Sequence, residues 1–427
     1  MDRFVKENRK LYYALLFLAL FPTIYQTFRV YLVGQLLDPY SFSIAGQLSW
    51  VNLLYEILRE AFILPLYFFI GHTSRENRES RTKTIMSTGM IVYVVMFVLL
   101  FIFIRPLLSV MEVEKNIFAQ VANYIRIESF ANIFAFVAET LLVLLIVLGK
   151  RRWIYVVTIC KTMLTMLTDI FFLSDNPYSL HLGINGIGYS NVVVNIGLII
   201  FLLHILRKSS YRILSAKPEF SQAKELYRIS GISGMESFVR NIVYMMMVSR
   251  MINIVSEQGS YWVANNFIWG WLLLPVLQLA EVIKQNAAEG KERVFSNKRW
   301  YFKVTTIICI GWIVSIPLWK PFMKYVLEIA DVEKILSLIL SLLIFYIVFA
   351  YQNVFDSILY GFGKIKYILV ESIIVNVVYY GLVYVLYMKG VWTLTLNTIV
   401  WMFGVGMIFD GIVSYIGYRI FVKKTIA

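Results

Sequence analysis

Charged residues are rare inside the long apolar stretches of this chain, and those present fall at helical spacing. Glu56, Arg59 and Glu60 lie at i, i+3 and i+4, on one helical face, where they can pair with one another. Glu128, Asn132 and Glu139 fall within about 40° of each other at about 100° per residue, which makes one polar stripe. Lys161, Thr165 and Asp169 follow at four-residue intervals. Lys161 and Asp169 are then about 12 Å apart along the axis, too far to pair, so each needs a partner on another helix. Glu236 and Arg240 are spaced i and i+4, with Arg250 deeper in the same run. Glu281 with Lys284, Gln352, Asn353 and Asp356, and Glu371 complete the set, while Asp410 reads as isolated. An ionisable group inside a bilayer is expensive unless paired or hydrated, so each is a candidate for ion pairing, proton exchange or substrate contact.

The motifs of catalysis are missing: no GxxxxGKS/T loop, no HExxH and no GxSxG occurs. His72, His181 and His204 fall at span ends or in loops, and Cys160 and Cys309 lie inside apolar runs. No catalytic residue, cofactor, metal cluster or disulfide is expected from them. Without a nucleotide site, any work done across a membrane must draw on an ion gradient.

The elements that must position these groups are apolar helices. Hydrophobic residues make up 59% of the 427, and a bilayer-spanning helix needs about 20 of them in succession. Runs near 11–37, 47–71, 84–105, 118–149, 152–174, 186–206, 229–255, 261–287, 302–324, 335–361, 366–388 and 393–418 predict twelve spans. The N-terminus, the even-numbered connections and the C-terminus hold most of the loop Lys and Arg. The odd-numbered connections hold only Arg105, Lys115, Lys320, Lys324, Lys334 and Lys389. By the positive-inside rule both termini are expected in the cytoplasm, which requires an even number of spans. The first run is too long for a signal peptide and is expected to remain as helix 1. The formal charge of +14 is spread over short loops, which suits anionic lipid headgroups and not a nucleic-acid surface.

The expected fold class is therefore all-α, a polytopic membrane protein with twelve transmembrane helices in two pseudo-symmetric six-helix lobes. The polar stretch 207–228 divides an N-lobe (1–206, helices 1–6) from a C-lobe (229–427, helices 7–12). Weak internal similarity supports that division: Ala45-Gly46-Gln47-Leu48-Ser49-Trp50 matches Ala264-Asn265-Asn266-Phe267-Ile268-Trp269, and Leu148-Gly149-Lys150 matches Phe362-Gly363-Lys364. Parallel repeats with a substrate path between them are a recurring transporter plan.

These residues carry a resemblance to the multidrug and toxic compound extrusion (MATE) family, within the superfamily that also holds polysaccharide and lipid-linked precursor flippases. Pro22, a candidate helix-1 kink, is followed by Phe28-Arg29-Val30-Tyr31-Leu32-Val33-Gly34-Gln35-Leu36-Leu37 and then Ala45 and Gly46. This is similar to the family's helix-1 proline, VG-x-x-L segment and AxxG-like start of span two. Leu148-Gly149-Lys150-Arg151 resembles the family's arginine–glycine turn, and Gly183-Ile184-Asn185-Gly186-Ile187-Gly188 its glycine-rich start of span six. Asp169, Thr165, Asn191 and Glu236 fall where members carry acidic or polar residues; Asp356 is close to one such position but out of register. Arg29 departs from the pattern, standing where an aspartate is common.

The resemblance implies a secondary active exporter of amphipathic organic compounds, an antiporter working by alternating access with protons or sodium ions. It would sit in the cell membrane as a monomer. The expected coupling and ion-pair network is Arg29, Glu56, Arg59, Glu60, Glu139, Lys161, Asp169, Asn191, Glu236, Arg240 and Asp356, with Arg29 pairing to Glu56, Glu60 or Asp169. The expected substrate cleft, between spans 1, 2, 7 and 8, includes Gln47, Trp50, Asn265, Asn266 and Trp269. The alternative is a flippase or exporter for a lipid-linked or anionic substrate in an Arg-lined cavity. A non-transporting scaffold would instead show a closed, satisfied polar network.

Overall fold

In the computed structural model every described element is a helix. The structure describes residues 2–426 apart from 64–65, 67–69, 71–76, 175 and 220–222; the side chains of 2–5, 151, 223–230, 232–233, 236 and 425–426 also fall outside the description. The helices are α1 (Asp2–Gly34), α2 (Ser41–Phe62), α3 (Arg78–Val110), α4 (Phe118–Val147), α5 (Arg151–Leu173), α6 (Asn185–Lys208), α7 (Ala223–Tyr244) and α8 (Arg250–Ile254). There follow α9 (Gln258–Phe267), α10 (Leu274–Glu289), α11 (Lys291–Tyr325), α12 (Val332–Gly361), α13 (Ile365–Ile373), α14 (Gly381–Met388) and α15 (Leu396–Ile426). Three π-helical segments, Met245–Ser249, Ile268–Leu272 and Ile374–Tyr380, join α7 to α8, extend α9, and join α13 to α14.

Among the described residues nine helices are long and apolar enough to cross a membrane, or ten if the pair Gln258–Leu272 and Leu274–Glu289, bent by 50°, is one span. This is a multi-pass membrane protein. Of the twelve expected spans, 47–71 lies partly outside the described residues, and its described part, α2, falls short of that test, as does α7. Glu56, Arg59 and Glu60 dilute the apolar character of α2, and Lys224, Glu225, Arg228, Glu236 and Arg240 that of α7.

The helices form two compact units, 35–245 and 1–34 with 246–427. This grouping differs from a linear split at 207–228: helix 1 packs with the C-terminal helices, and α7 packs with the N-terminal ones. In the first unit α4 is central, packed on α6, α3 and α2, while α7 lies along α2. Close crossings are made by glycines, as membrane helices without a hydrophobic driving force require. A Cβ on Gly188 would stand 2.6 Å from Ile127 Cγ2, and one on Gly186 2.7 Å from the Phe172 carbonyl oxygen, so the glycine-rich start of α6 lets it lie close to α4 and α5.

In the other unit α12 is central, with α15, α10 and α11 against it, and α1 packs on α10. A core of Tyr12, Ile283, Val294, Tyr301, Ile358 and Tyr418 gathers one end of α1, α10, α11, α12 and α15. The bend between α9 and α10 has a local cause. Pro275 in the first turn of α10 lacks an N–H, and Leu273 N–H reaches back to Ile268 O at 2.8 Å in a π turn. The disturbed carbonyls are recaptured from neighbouring helices: Thr23 Oγ1 donates to Gly270 O (3.1 Å) and Trp312 Nε1 to Leu272 O (2.9 Å).

Candidate functional site

Among the described residues, polar groups at membrane depth collect in three places. The first joins α2, α4 and α7. Arg59 Nε donates to Glu139 Oε2 at 2.9 Å, and Arg240 lies 3.0 Å from Glu60 Oε1 and 3.7 Å from Glu56 Oε1. Asn241, one residue on, is buried; its Nδ2 donates to Leu53 O at 3.0 Å and is 3.4 Å from Glu56 Oε2. Three carboxylates thus meet two guanidinium groups. These side chains are not sealed: that of Arg59 is 62% exposed, and a charge left open at that depth needs water beside it. The i, i+3, i+4 spacing of Glu56, Arg59 and Glu60 put them on one face as expected, but Arg59 turns to Glu139 and the two glutamates to Arg240.

The second constellation is drier and joins α4, α5 and α6. Glu128 is buried, and Asn191 Nδ2 donates to its Oε1 at 2.7 Å. Asn132 Nδ2 donates to the Glu128 carbonyl at 3.0 Å, and Thr168 Oγ1 lies 2.6 Å from Ser190 Oγ. Asp169 is fully buried beside Thr168, whereas Lys161, two turns away on α5, is exposed. The close α4–α6 crossing permitted by Gly188 brings Asn191 within reach of Glu128.

The third constellation joins α12, α13 and α15. Gln352 Nε2 lies 2.8 Å from Asp410 Oδ2, 3.2 Å from Asp356 Oδ2 and 3.4 Å from Glu371 Oε1. Ser414 Oγ donates to Asp356 Oδ1. Gln352 and Glu371 are buried, Asp356 and Asp410 half-buried. Asp410, isolated by sequence, is therefore a member of a cluster. The signal that could have found it is the i, i+4 pairing of Gln352 with Asp356 and of Asp410 with Ser414 on otherwise apolar helices.

The remaining expected residues are distributed as follows. Arg29 is buried on α1, its guanidinium 5.9 Å over the Tyr25 ring. Pro22 lies inside α1, directly before Thr23. Gln26 Nε2 donates to Asn266 Oδ1 at 2.9 Å, and Asn265 is half-buried near the exposed Trp269. Gln47 and Trp50 are buried and bonded to each other, Nε1 to Oε1 at 3.0 Å. Glu281 and Lys284 form the expected local pair at 2.8 Å. The side chain of Glu236 lies outside the described residues.

The MatE family model matches residues 68–171. Among solved structures, an inward-facing multidrug resistance MATE transporter of the MOP superfamily superposes with a TM-score of 0.77 at 16% identity, covering 94% of each chain. A MOP superfamily transporter from Pyrococcus furiosus, described as having a binding pocket of reverse polarity, gives 0.69 at 16% identity over 97% of this chain and 96% of its own. A Vibrio cholerae MATE transporter gives 0.69 at 13% identity over 99% and 98%. No curated protein matches the chain in sequence. The chain thus carries a MatE segment at 68–171 and shares the fold of these solved structures.

Proposed function

We propose that the chain is a secondary active exporter of amphipathic organic compounds, alternating between inward- and outward-open states as protons pass the other way. Both termini would face the cytoplasm, on the side rich in loop Lys and Arg. The lobes 1–206 and 229–427, joined by 207–228, would be the halves of the twelve-helix plan.

The observation that carries this reading is the cluster around Gln352. One amide offers two hydrogens to three carboxyl groups, Asp356, Glu371 and Asp410, drawn from three helices. Carboxyl groups gathered this closely at membrane depth repel one another when all are ionised, and a proton on one of them relieves that repulsion. Half-buried Asp356 and Asp410 give the cluster an edge through which the proton can exchange. With Arg29 replacing the helix-1 acid, the work of coupling falls on such a site. In the α2–α4–α7 network carboxylates outnumber guanidinium groups, which favours a cationic or neutral substrate over an anionic one. The aromatic and amide groups of Asn265, Asn266 and Trp269 suit a flat organic cation through cation–π and hydrogen-bond contact.

The test is efflux of a fluorescent organic cation from proteoliposomes under separately imposed proton and sodium gradients. Efflux driven by the proton gradient alone, and lost in Asp356→Asn and Asp410→Asn, supports the reading. Efflux driven by sodium alone replaces the coupling ion. No response to either gradient overturns the antiporter and leaves the flippase for a lipid-linked or anionic substrate.

A further inference from the structure

Outside the three polar constellations, α11, α12 and α15 frame a surface built from aromatic rings and cations. Both α11 and α15 pack on α12, which forms the floor between them. The rings run in continuous contact: Phe302 on α11 lies 6.2 Å from Tyr351 and 5.6 Å from Phe355, and Phe355 lies 5.4 Å from Tyr415 and 5.0 Å from Tyr418. Lys298 stands four residues before Phe302, and its Nζ sits 5.0 Å over the Tyr418 ring. Arg419 lies 5.9 Å over the Tyr415 ring, with Nη1 3.5 Å from that hydroxyl.

Neither cation forms an ion pair among the described residues; near the start of α11, Glu7 and Glu289 contact Arg293, and Glu292 in its first turn pairs with neither cation. A cation resting on a ring face keeps N–H donors directed away from the ring and available to an anion. The level in the membrane is also fixed. The Arg293–Glu7 contact places the start of α11 beside the start of α1, and the Lys298–Tyr418 contact places it beside the end of α15. Lys298 and Arg419 thus lie on the membrane face that carries both chain termini. Toward the bilayer centre, α15 presents the exposed apolar side chains Ile412 and Ile416. Cations at headgroup level above an aromatic and apolar strip match an anionic phosphodiester with acyl chains attached.

We infer that this surface binds one anionic phospholipid, its phosphodiester held by Lys298 and Arg419 and its acyl chain lying along Phe302, Phe355 and Tyr415. The apolar floor selects a lipid over free phosphate, and the two cations select an anionic headgroup over a zwitterionic one. Binding at this site stabilises the packing of α11 and α15 on α12 independently of any coupling chemistry.

The test uses the full chain purified in detergent, titrated with short-chain phosphatidylglycerol, phosphatidylcholine or inorganic phosphate, and read by native mass spectrometry and thermal midpoint. The expected result is a retained phosphatidylglycerol adduct and a raised midpoint, with neither effect from the other two. The double variant Lys298→Gln/Arg419→Gln is expected to bind phosphatidylglycerol about thirtyfold more weakly, the effect of removing two cations beside an anionic lipid. The control Lys364→Gln/Lys366→Gln removes the same charge from exposed positions next to Gly363 and keeps the affinity. Equal loss in the control means diffuse attraction and overturns the site. Equal protection by inorganic phosphate, or equal retention of phosphatidylcholine, overturns the lipid assignment.

Discussion

Gln352 Nε2 and Asp410 Oδ2 lie 2.8 Å apart although 58 residues separate them in the chain. That contact brings polar residues of two mostly apolar helices together as one wall of a carboxyl cluster. Its consequence is that neither side chain can be replaced by an apolar one without leaving a buried polar group unmet.

Replacing Gln352 by Met keeps the volume but removes the donor shared by Asp356, Glu371 and Asp410. Loss of a buried hydrogen-bonding partner costs about 1–3 kcal/mol. The expected outcome is a lowered thermal midpoint in detergent and loss of proton-driven efflux. Unchanged gradient dependence in the variant would remove the cluster from the coupling scheme.

Arg240 sits between Glu56 and Glu60, so reversing the pair tests their interaction directly. Arg240→Glu is expected to destabilise the protein, and adding Glu60→Arg should recover part of the loss. Because these side chains are partly exposed, the coupling measured by the double-mutant cycle should be modest, about 0.5–1 kcal/mol. Zero coupling would mean that the contact contributes nothing to the α2–α7 packing.

Gly361 ends α12 where it meets α10. A Cβ there would stand 2.5 Å from the Lys284 carbonyl oxygen and 2.4 Å from Ala287 Cβ, so backbone must move. Gly361→Ala is expected to cost about 1–3 kcal/mol by overpacking. Gly311→Ala, with open space around it, is expected to leave the thermal midpoint near that of the parent.

The bend between α9 and α10 is held by Thr23 and Trp312, which accept responsibility for two disturbed carbonyls. Thr23→Val combined with Trp312→Phe removes both donors and leaves the apolar bulk. Hydrogen exchange is expected to rise in residues 268–275 and to stay unchanged in α4 and α6. Equal exchange in both regions would show that the π turn holds the bend by itself.

The sequence by itself determined that the chain is helical, that it crosses a membrane many times, and which side chains carry charge into apolar helices. These are local properties, set by run length, composition and a repeat of about 3.6 residues per turn. The Glu281–Lys284 pair was legible for the same reason, since both members lie on one helix. The tertiary structure alone decided the partners. Arg59 could face Glu56 or Glu60 by spacing, yet it meets Glu139 eighty residues away, and Arg240 takes the two glutamates. Asp410 had only Ser414, four residues on, to hint at a cluster in its own helix; its partners lie on other helices. Helical periodicity fixes which face a residue occupies, whereas the rotation and crossing of helices, set by glycines such as Gly188 and Gly361 and by the bend at Pro275, fix what that face meets.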